Sequence, residues 1–228
     1  MGKAFPLAVK AVVIDLDGTL LDTAPDIAEA ASRMLHDLAQ PPVELGQIRS
    51  YIGNGISVLV KRALTGSMHG EPDEAMFAKA LPIFQQHYAE VLVRETRPYP
   101  GVVEGLERMK AAGFRLACIT NKAERFTLPL LAAMGMKDAF ELILSGDSLP
   151  KKKPDPLPLL HACQKFGVKP EEMLLIGDSL NDSVAARAAG CHVFLLPYGY
   201  NGGRDVGEQD SDAVVTDLVE AAGLIRKV

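Results

Sequence analysis

An α/β fold is predicted for this chain, a doubly wound parallel sheet (a Rossmann-like core) with a small all-helical insertion, and three observations predict it. Short apolar runs alternate with segments of helical spacing over most of the length, the βαβα order of a parallel sheet covered by helices. The first run, Val12-Val13-Ile14, is β-branched with no polar alternation, as expected of a strand buried on both faces. The alternation breaks once, between Asp22 and about Arg97, where the apolar spacing is helical and no strand is evident.

The elements follow in order. The first strand runs into Asp15-Leu16-Asp17-Gly18-Thr19. Asp22-Thr23-Ala24-Pro25 is a helix start, with Asp or Thr as cap and Pro in the first turn. Ile27, Ala31, Met34, Leu35 and Leu38 form the stripe of that helix, and Gln40-Pro41-Pro42 ends it. Ile48, Tyr51 and Ile52 precede a Gly53-Asn54-Gly55 break, and the apolar segment from Ile56 to Leu64 carries Lys61 and Arg62. Phe77, Leu81, Phe84, Tyr88 and Val91 keep helical spacing, with Pro82 expected to kink or split the helix.

Pro98-Tyr99-Pro100-Gly101 marks a boundary. Beyond it, helices over 102–112, 126–134, 156–166, 182–189 and 218–225 alternate with strands over 114–119, 142–144, 173–176, 193–196 and 213–215. Tyr198 to Asp212 reads as a long surface loop. The expected division is an α/β unit of residues 1–21 and 98–228, with 22–97 inserted after the first strand as a helical lid.

Composition narrows the function. At 228 residues the chain suits one large domain or a core with a smaller partner, and a net charge of −5 argues against a general nucleic-acid or anionic-membrane binder. Cys118, Cys163 and Cys191 are odd in number and set in apolar segments, so small buried hydrophobes in a reducing cytoplasm are expected. No apolar run in Met1–Lys10 suits a leader, Pro6 stands where an acylation signal at Gly2 wants Ser or Thr, and no stretch approaches a membrane span. A soluble cytoplasmic protein without an obligatory protein partner is expected.

The chemistry collects at strand ends. Asp15 and Asp17 lie on the same side of an extended chain and address one site. Like charges so close need a cation between them, or one of them keeps its proton. Other strands end at Thr120-Asn121 and at Gly177-Asp178-Ser179-Leu180-Asn181-Asp182, and parallel strands share one carboxyl edge. Between these lies Lys151-Lys152-Lys153-Pro154-Asp155-Pro156. Lys151 and Lys152 read as solvated, whereas the prolines behind Lys153 help aim its ammonium. The set offers carboxylates for a hard cation, a hydroxyl and an ammonium for an anion, and one carboxylate free to attack. Mg²⁺ with a substrate phosphate is the natural match.

These four motifs, Asp15-Leu16-Asp17-Gly18-Thr19, Thr120-Asn121, Lys153-Pro154-Asp155-Pro156 and Gly177-Asp178-Ser179-Leu180-Asn181-Asp182, resemble those of the haloacid dehalogenase-like superfamily. The helical insertion is similar to that family's small helical cap, so the resemblance covers the whole chain. Asp15 to Pro25, Tyr51-Ile52-Gly53-Asn54-Gly55 and Tyr198-Gly199-Tyr200-Asn201 look most like the bacterial branch that hydrolyses 2-phosphoglycolate. The resemblance implies that Asp15 is the nucleophile, forming an aspartyl-phosphate. Asp17 protonates the leaving alkoxide and then takes a proton from water. Mg²⁺ is expected on Asp15, Asp178 and the backbone carbonyl of Asp17.

The resemblance also gives Thr120 and the amide after it (Asn121) to phosphate oxygens, and Lys153 to both Asp15 and phosphate. Gly18 and Thr19 shape the turn near the phosphate, while Ser179 and Asp182 lie behind the metal site, Asp182 orienting Lys153 or a metal-bound water. Asp17 separates phosphate-ester hydrolysis from the dehalogenase and phosphonate-cleaving branches, which lack it. In the insertion, Gly53 and Asn54 let a backbone approach a small substrate, and Arg62 or Lys61 could pair with its carboxylate. The expected function is a Mg²⁺-dependent phosphatase acting on 2-phosphoglycolate. Alternatives are a sugar-phosphate phosphatase or phosphoglucomutase of the same architecture and, in a different class, a non-catalytic phosphoacceptor module like the response-regulator receivers.

Overall fold

Aliphatic runs become short strands, and capped apolar stripes become the helices between them. β1 (Leu7–Val9), β2 (Ala11–Ile14) and the two-residue β3 (Leu21–Asp22) come first. Then follow α1 (Ala24–Asp37), α2 (Leu45–Tyr51), α3 (Ile56–Thr65) and α4 (Glu74–Val91) without an intervening strand. β4 (Arg97–Pro98), α5 (Val102–Ala111), β5 (Arg115–Ile119), α6 (Glu124–Ala133) and β6 (Leu142–Leu144) continue the chain. α7 (Leu157–Phe166), β7 (Met173–Gly177), α8 (Leu180–Ala189), β8 (His192–Leu195), β9 (Ala213–Val214), α9 (Leu218–Gly223) and β10 (Ile225–Lys227) complete it. The computed structural model describes residues 5–202 and 205–228; the expectations for Met1–Ala4, Gly2 among them, and for Gly203–Arg204 of the long loop lie outside the described residues.

Among the described residues the main sheet has six strands in the order β6-β5-β2-β7-β8-β9, every neighbouring pair parallel. β2 is therefore central, and its carboxyl end lies between those of β5 and β7. The two-residue period sends alternate side chains to opposite faces. Val12, Ile14, Leu116, Cys118, Leu174 and Ile176 join one core with α5, α6 and α9, and Ala11, Val13, Ala117, Ile119 and Leu175 join the other with α7 and α8. Burial on both faces explains the unbroken apolar runs.

The inserted helices share their own apolar seam. Ile27, Ala30, Ala31, Met34 and Leu35 of α1 and Ala80, Phe84, Tyr88 and Val91 of α4 are buried. α4 runs unbroken through Pro82, correcting the expected split. Pro82 is exposed, and so is Ala78, the residue four before it, so the carbonyl that loses its helical donor can turn to water.

Two short strand pairings were not expected from the sequence. β3 and β4 pair antiparallel where the chain enters and leaves the inserted helices. β1 pairs with β10, so the last residues are a strand and α9 stops at Gly223 instead of reaching 225. β3, β4 and β10 each mix at least one charged residue into two or three positions, so no apolar run marks them in the sequence. Asp26 of α1, fully buried, accepts the amides of Glu95 and Thr96 at 2.9 Å and the Thr96 hydroxyl at 2.7 Å, fastening the exit of the insertion to its first helix.

Candidate active site

The carboxyl edge of the sheet gathers the polar strand ends at β2, β5 and β7. Asp15 leaves β2, its amide still in the ladder on the Ile176 carbonyl, so its side chain is fixed beside Asp178, which leaves β7. Asp15, Asp178 and Asp182 each bring a carboxylate oxygen within 4.8 Å of the other two. Lys153 Nζ lies between two of them, 2.8 Å from Asp15 Oδ1 and 2.7 Å from Asp182 Oδ1. The other Asp182 oxygen accepts the Ser179 hydroxyl at 2.7 Å and the Ser179 amide at 3.2 Å. Asp182 thus both caps α8 and braces Lys153.

Asp178 is held differently. One oxygen accepts the Thr19 hydroxyl at 2.9 Å and the other the Tyr200 amide. Gly18 and Gly199 let two backbones close on this carboxylate. A Cβ would meet Asp178 Oδ2 at 2.4 Å from Gly18 and 2.3 Å from Gly199, and Gly18 also has φ +87°. Tyr200 in turn gives its hydroxyl to Asp22 at 2.7 Å and accepts the amides of Thr23 and Ala24 at 2.7 and 2.8 Å. The 198–212 stretch is therefore not simply a surface loop: its start pins Asp178 and the beginning of α1 together.

Charge explains what this cluster needs. Burial pushes the Asp15 carboxyl up to about 7 against the pull of Lys153, and Asp182 adds to the rise. Burial, then Asp182 and Asp15, hold Asp178 well above the ordinary carboxylate range. Burial alone would lower Lys153, but Asp15 and Asp182 outweigh it and keep the ammonium above the usual lysine range. Buried carboxylates held above their ordinary range are a fitting donor set for Mg²⁺, which prefers a few carboxylate oxygens and keeps part of its water. Lys153 takes only one Asp15 oxygen and Asp178 meets only the neutral donors of Thr19 and Tyr200, whereas Asp182 is held by the Lys153 ammonium and by Ser179, so Asp15 and Asp178 are the residues that fit the ion.

A pH dependence follows. The folded metal-free protein binds these protons more tightly than the unfolded chain, whose carboxylates titrate near the ordinary 3.8. For Asp15 the stability present below that value is lost as pH rises through about 7, and Asp178, raised for the same reason, acts in the same direction. Raising pH from about 5 to about 8 is expected to lower the Tm of the metal-free protein and to enlarge the rise in Tm on adding Mg²⁺. Scanning calorimetry at several pH values checks it; a Mg²⁺ shift independent of pH would contradict it.

Asp17 points into a cavity it shares with Asp15, Thr120, Asn121, Lys122, Lys153, Ser179 and Asn181. One Asp17 oxygen accepts the Thr23 hydroxyl at 2.7 Å. Lys122 Nζ lies 3.0 and 3.3 Å from the two Asp17 oxygens and 2.6 Å from Tyr88 Oη. Burial alone would lower Lys122, but Asp17 and then Tyr88 outweigh it and hold its ammonium above the usual range. Burial pushes the Tyr88 phenol up to about 12. Neither Lys122 nor Tyr88 was singled out from the sequence. Lys122 directly follows Thr120-Asn121, a signal that was available, whereas Tyr88 sits in an apolar stripe and reads as core.

The inserted helices close the cavity from above. The Gly53 carbonyl accepts Asn121 Nδ2 at 2.8 Å and Asn181 Nδ2 at 3.2 Å, and Lys152 Nζ donates to the Asn54 carbonyl at 2.7 Å. Ile27, Ile52, Ile56, Leu59 and Phe84 supply the apolar part of the lining.

Several expected roles are redistributed. Gly53 lines the cavity, but Asn54 stands at its rim with its side chain on Asn181 at 3.4 Å. The Asn121 amide nitrogen is spent on Gly53 and on the Lys153 carbonyl, both at 2.8 Å, so that side chain ties loops together instead of donating to substrate. Gly18 and Thr19 do not line the cavity; they serve Asp178. Lys152, read as solvated, holds the rim. Arg62 is a correction: its guanidinium is buried on the carbonyls of Tyr51 at 2.8 Å and Met68 at 3.1 Å, bracing the turns around α3 outside the cavity. Lys61 pairs with Glu71 at 2.6 Å and is no substitute. These two basic residues lie on a helix face that packing turned away from the site.

Comparison with known proteins agrees with this geometry. The pattern of the family described as haloacid dehalogenase-like hydrolase matches residues 9–190. The chain is 64% identical over 225 residues to a phosphoglycolate phosphatase of Thiobacillus denitrificans, covering 99% of each chain. It is 61% identical over 223 residues to one of Nitrosospira multiformis, covering 98% of each. A crystal structure of a predicted phosphoglycolate phosphatase from Haemophilus somnus superposes with a TM-score of 0.88 at 38% identity, covering 93% of this chain and 96% of that one.

Proposed function

The chain belongs to the haloacid dehalogenase-like hydrolases, and on that premise we propose that it is a Mg²⁺-dependent phosphatase that hydrolyses 2-phosphoglycolate to glycolate and phosphate. The observation that carries the reading is the division of labour among buried carboxylates. Asp15 stands against Lys153 and beside Asp178, and Asp17 faces the same cavity free of that cluster. Near-complete coverage of relatives named for this activity supports the substrate. Among the described residues no helix is long and apolar enough to cross a membrane. With Cys118, Cys163 and Cys191 all free and buried, we place the enzyme in the cytoplasm.

Mg²⁺ would be held by Asp15, Asp178 and the main-chain carbonyl of Asp17, and when bound it supplies positive charge against the phosphate and the attacking carboxylate. The rest of the work falls to side chains. Lys153 fixes one Asp15 oxygen at 2.8 Å, leaving the other to attack phosphorus and form the aspartyl-phosphate. Thr120, the amide that follows it and Lys153 take the phosphoryl oxygens, so that charge is met by fixed donors in a site closed to water. Asp17 delivers a proton to the departing alkoxide and afterwards removes one from the water that hydrolyses the intermediate. Residues 22–97, as a cap over the 1–21 and 98–228 core, exclude bulk water and bound the leaving group.

The walls above Asp17 favour a small leaving group over a sugar. Ile27, Ile52, Leu59 and Phe84 offer no partners to a ring of hydroxyls, and burying hydroxyls unpaired is unfavourable. A panel of 2-phosphoglycolate, hexose phosphates and nucleotides assayed with Mg²⁺ tests the reading. kcat/KM is expected to be highest for 2-phosphoglycolate by about 10²-fold. A hexose phosphate at the head of the panel, or isomerised sugar phosphate without free phosphate, would overturn it.

A further inference from the structure

The substrate proposed above carries a second anion, and the cation expected for it lies elsewhere. Arg62 is spent on main-chain carbonyls and Lys61 on Glu71. Lys152 is exposed at the rim and holds the Asn54 carbonyl. Among the described residues that line the cavity, two are cationic: Lys153 and Lys122. Lys153 already stands between Asp15 and Asp182, where the phosphoryl group reacts. Lys122 stands at the other end, against Asp17 and Tyr88, and is 4% exposed.

Position selects Lys122. In 2-phosphoglycolate one methylene separates the ester oxygen from the carboxylate. Asp17 must touch that ester oxygen to protonate it, so a carboxylate one carbon away meets whatever adjoins Asp17. Lys122 adjoins it. Its neighbour supplies a second donor: Tyr88 Oη accepts from Lys122 at 2.6 Å, and its own hydroxyl hydrogen has no acceptor among the described residues. An ammonium and a phenolic O–H side by side, walled by Phe84 and Leu59 where water is displaced, make a receptor for a carboxylate.

Resting on that substrate reading, we propose that Lys122 and Tyr88 form the subsite that binds the carboxylate of the leaving group and so set the preference for a phosphorylated acid over an uncharged phosphate ester. The sequence placed this task on α3; the structure gives it to the loop after β5 and to α4.

The test compares 2-phosphoglycolate with ethyl phosphate, which keeps the ester and lacks the carboxylate. In Lys122→Met the ratio of kcat/KM for the two is expected to fall about 30- to 100-fold, chiefly through KM for 2-phosphoglycolate. Tyr88→Phe, nearly isosteric and therefore a safe fold, is expected to lower the ratio about fivefold to tenfold. Circular dichroism and the Tm of the same preparations report the folded enzyme. Proportional losses on both esters would mean that Lys122 acts only through Asp17 and would overturn the subsite. A large wild-type ratio left unchanged by both variants would also overturn it while leaving the substrate intact. Wild-type preference for a different phosphorylated acid, lost in Lys122→Met, would remove 2-phosphoglycolate and keep the subsite. A wild type indifferent to acidic leaving groups would end both.

Discussion

Replacing Asp15 with Asn is expected to reduce kcat by at least about 10⁴-fold while leaving the fold intact and raising the Tm of the metal-free protein. The activity loss follows from chemistry: an amide oxygen is a poor nucleophile toward phosphorus, and no other carboxylate can take its place. Asp178 is pinned by Thr19 and the Tyr200 amide, Asp182 by Lys153 and Ser179, and Asp17 lies against Lys122. The gain in Tm follows from charge. Asp15 is a buried carboxylate pushed up to about 7, so Asn removes a proton-affinity conflict at neutral pH without changing the shape of the side chain. Steady-state phosphate release and calorimetry without Mg²⁺ check the two halves. A variant that lost activity and also stability would contradict the charge account, because Asn fills the same space.

Lys153→Met is expected to be the more damaging change to the protein itself. Lys153 is 2% exposed and is the cation between Asp15 and Asp182. Methionine keeps most of the aliphatic stem and deletes the charge, which leaves two buried carboxylates facing each other. Removing one partner of such an arrangement costs about 3–5 kcal/mol, most of it from the uncompensated charge that remains. Activity should fall by at least about 10³-fold, since both the orientation of Asp15 and a phosphate donor are lost. Adding Asp182→Asn should return part of the stability and none of the activity, because it relieves the repulsion without replacing the donor. Urea denaturation of the single and double variants reads the stability, and a Lys153→Met variant as stable as the parent would contradict the role given to that ammonium.

The same logic separates what the sequence reveals from what it hides. The four inner strands of the main sheet, β5, β2, β7 and β8, were legible because burial on both faces demands unbroken apolar runs, and Val12-Val13-Ile14 or Leu174-Leu175-Ile176 cannot be mistaken for a half-exposed strand. Asp15, Asp17, Thr120, Lys153, Asp178 and Asp182 were legible because parallel strands deliver their ends to one edge, whatever the loop between them. The residues hidden from the sequence share a different property: their roles depend on how the inserted helices pack down. Tyr88 has helical spacing with Phe84 and counts as apolar stripe until α4 is laid over the sheet edge. Tyr200 lies 178 residues from Asp22, its hydrogen-bond partner, and nothing local joins them. Arg62 and Lys61 showed the reverse error, a basic pair whose helix face could not be known before α3 was placed. Pro82 misled because the cost of proline in a helix depends on whether the orphaned carbonyl can reach water.

The proposed mechanism turns on Asp15 bonding to phosphorus, and the stereochemical course of the reaction tests that most directly. Hydrolysis of the phosphorothioate analogue of 2-phosphoglycolate, made chiral at phosphorus with two oxygen isotopes and run in water of the third, should give chiral inorganic thiophosphate with net retention. Retention is the sum of one displacement by Asp15 and a second by water at the same centre. Net inversion would mean that water attacks the substrate in a single step, and Asp15 would then have no nucleophilic role.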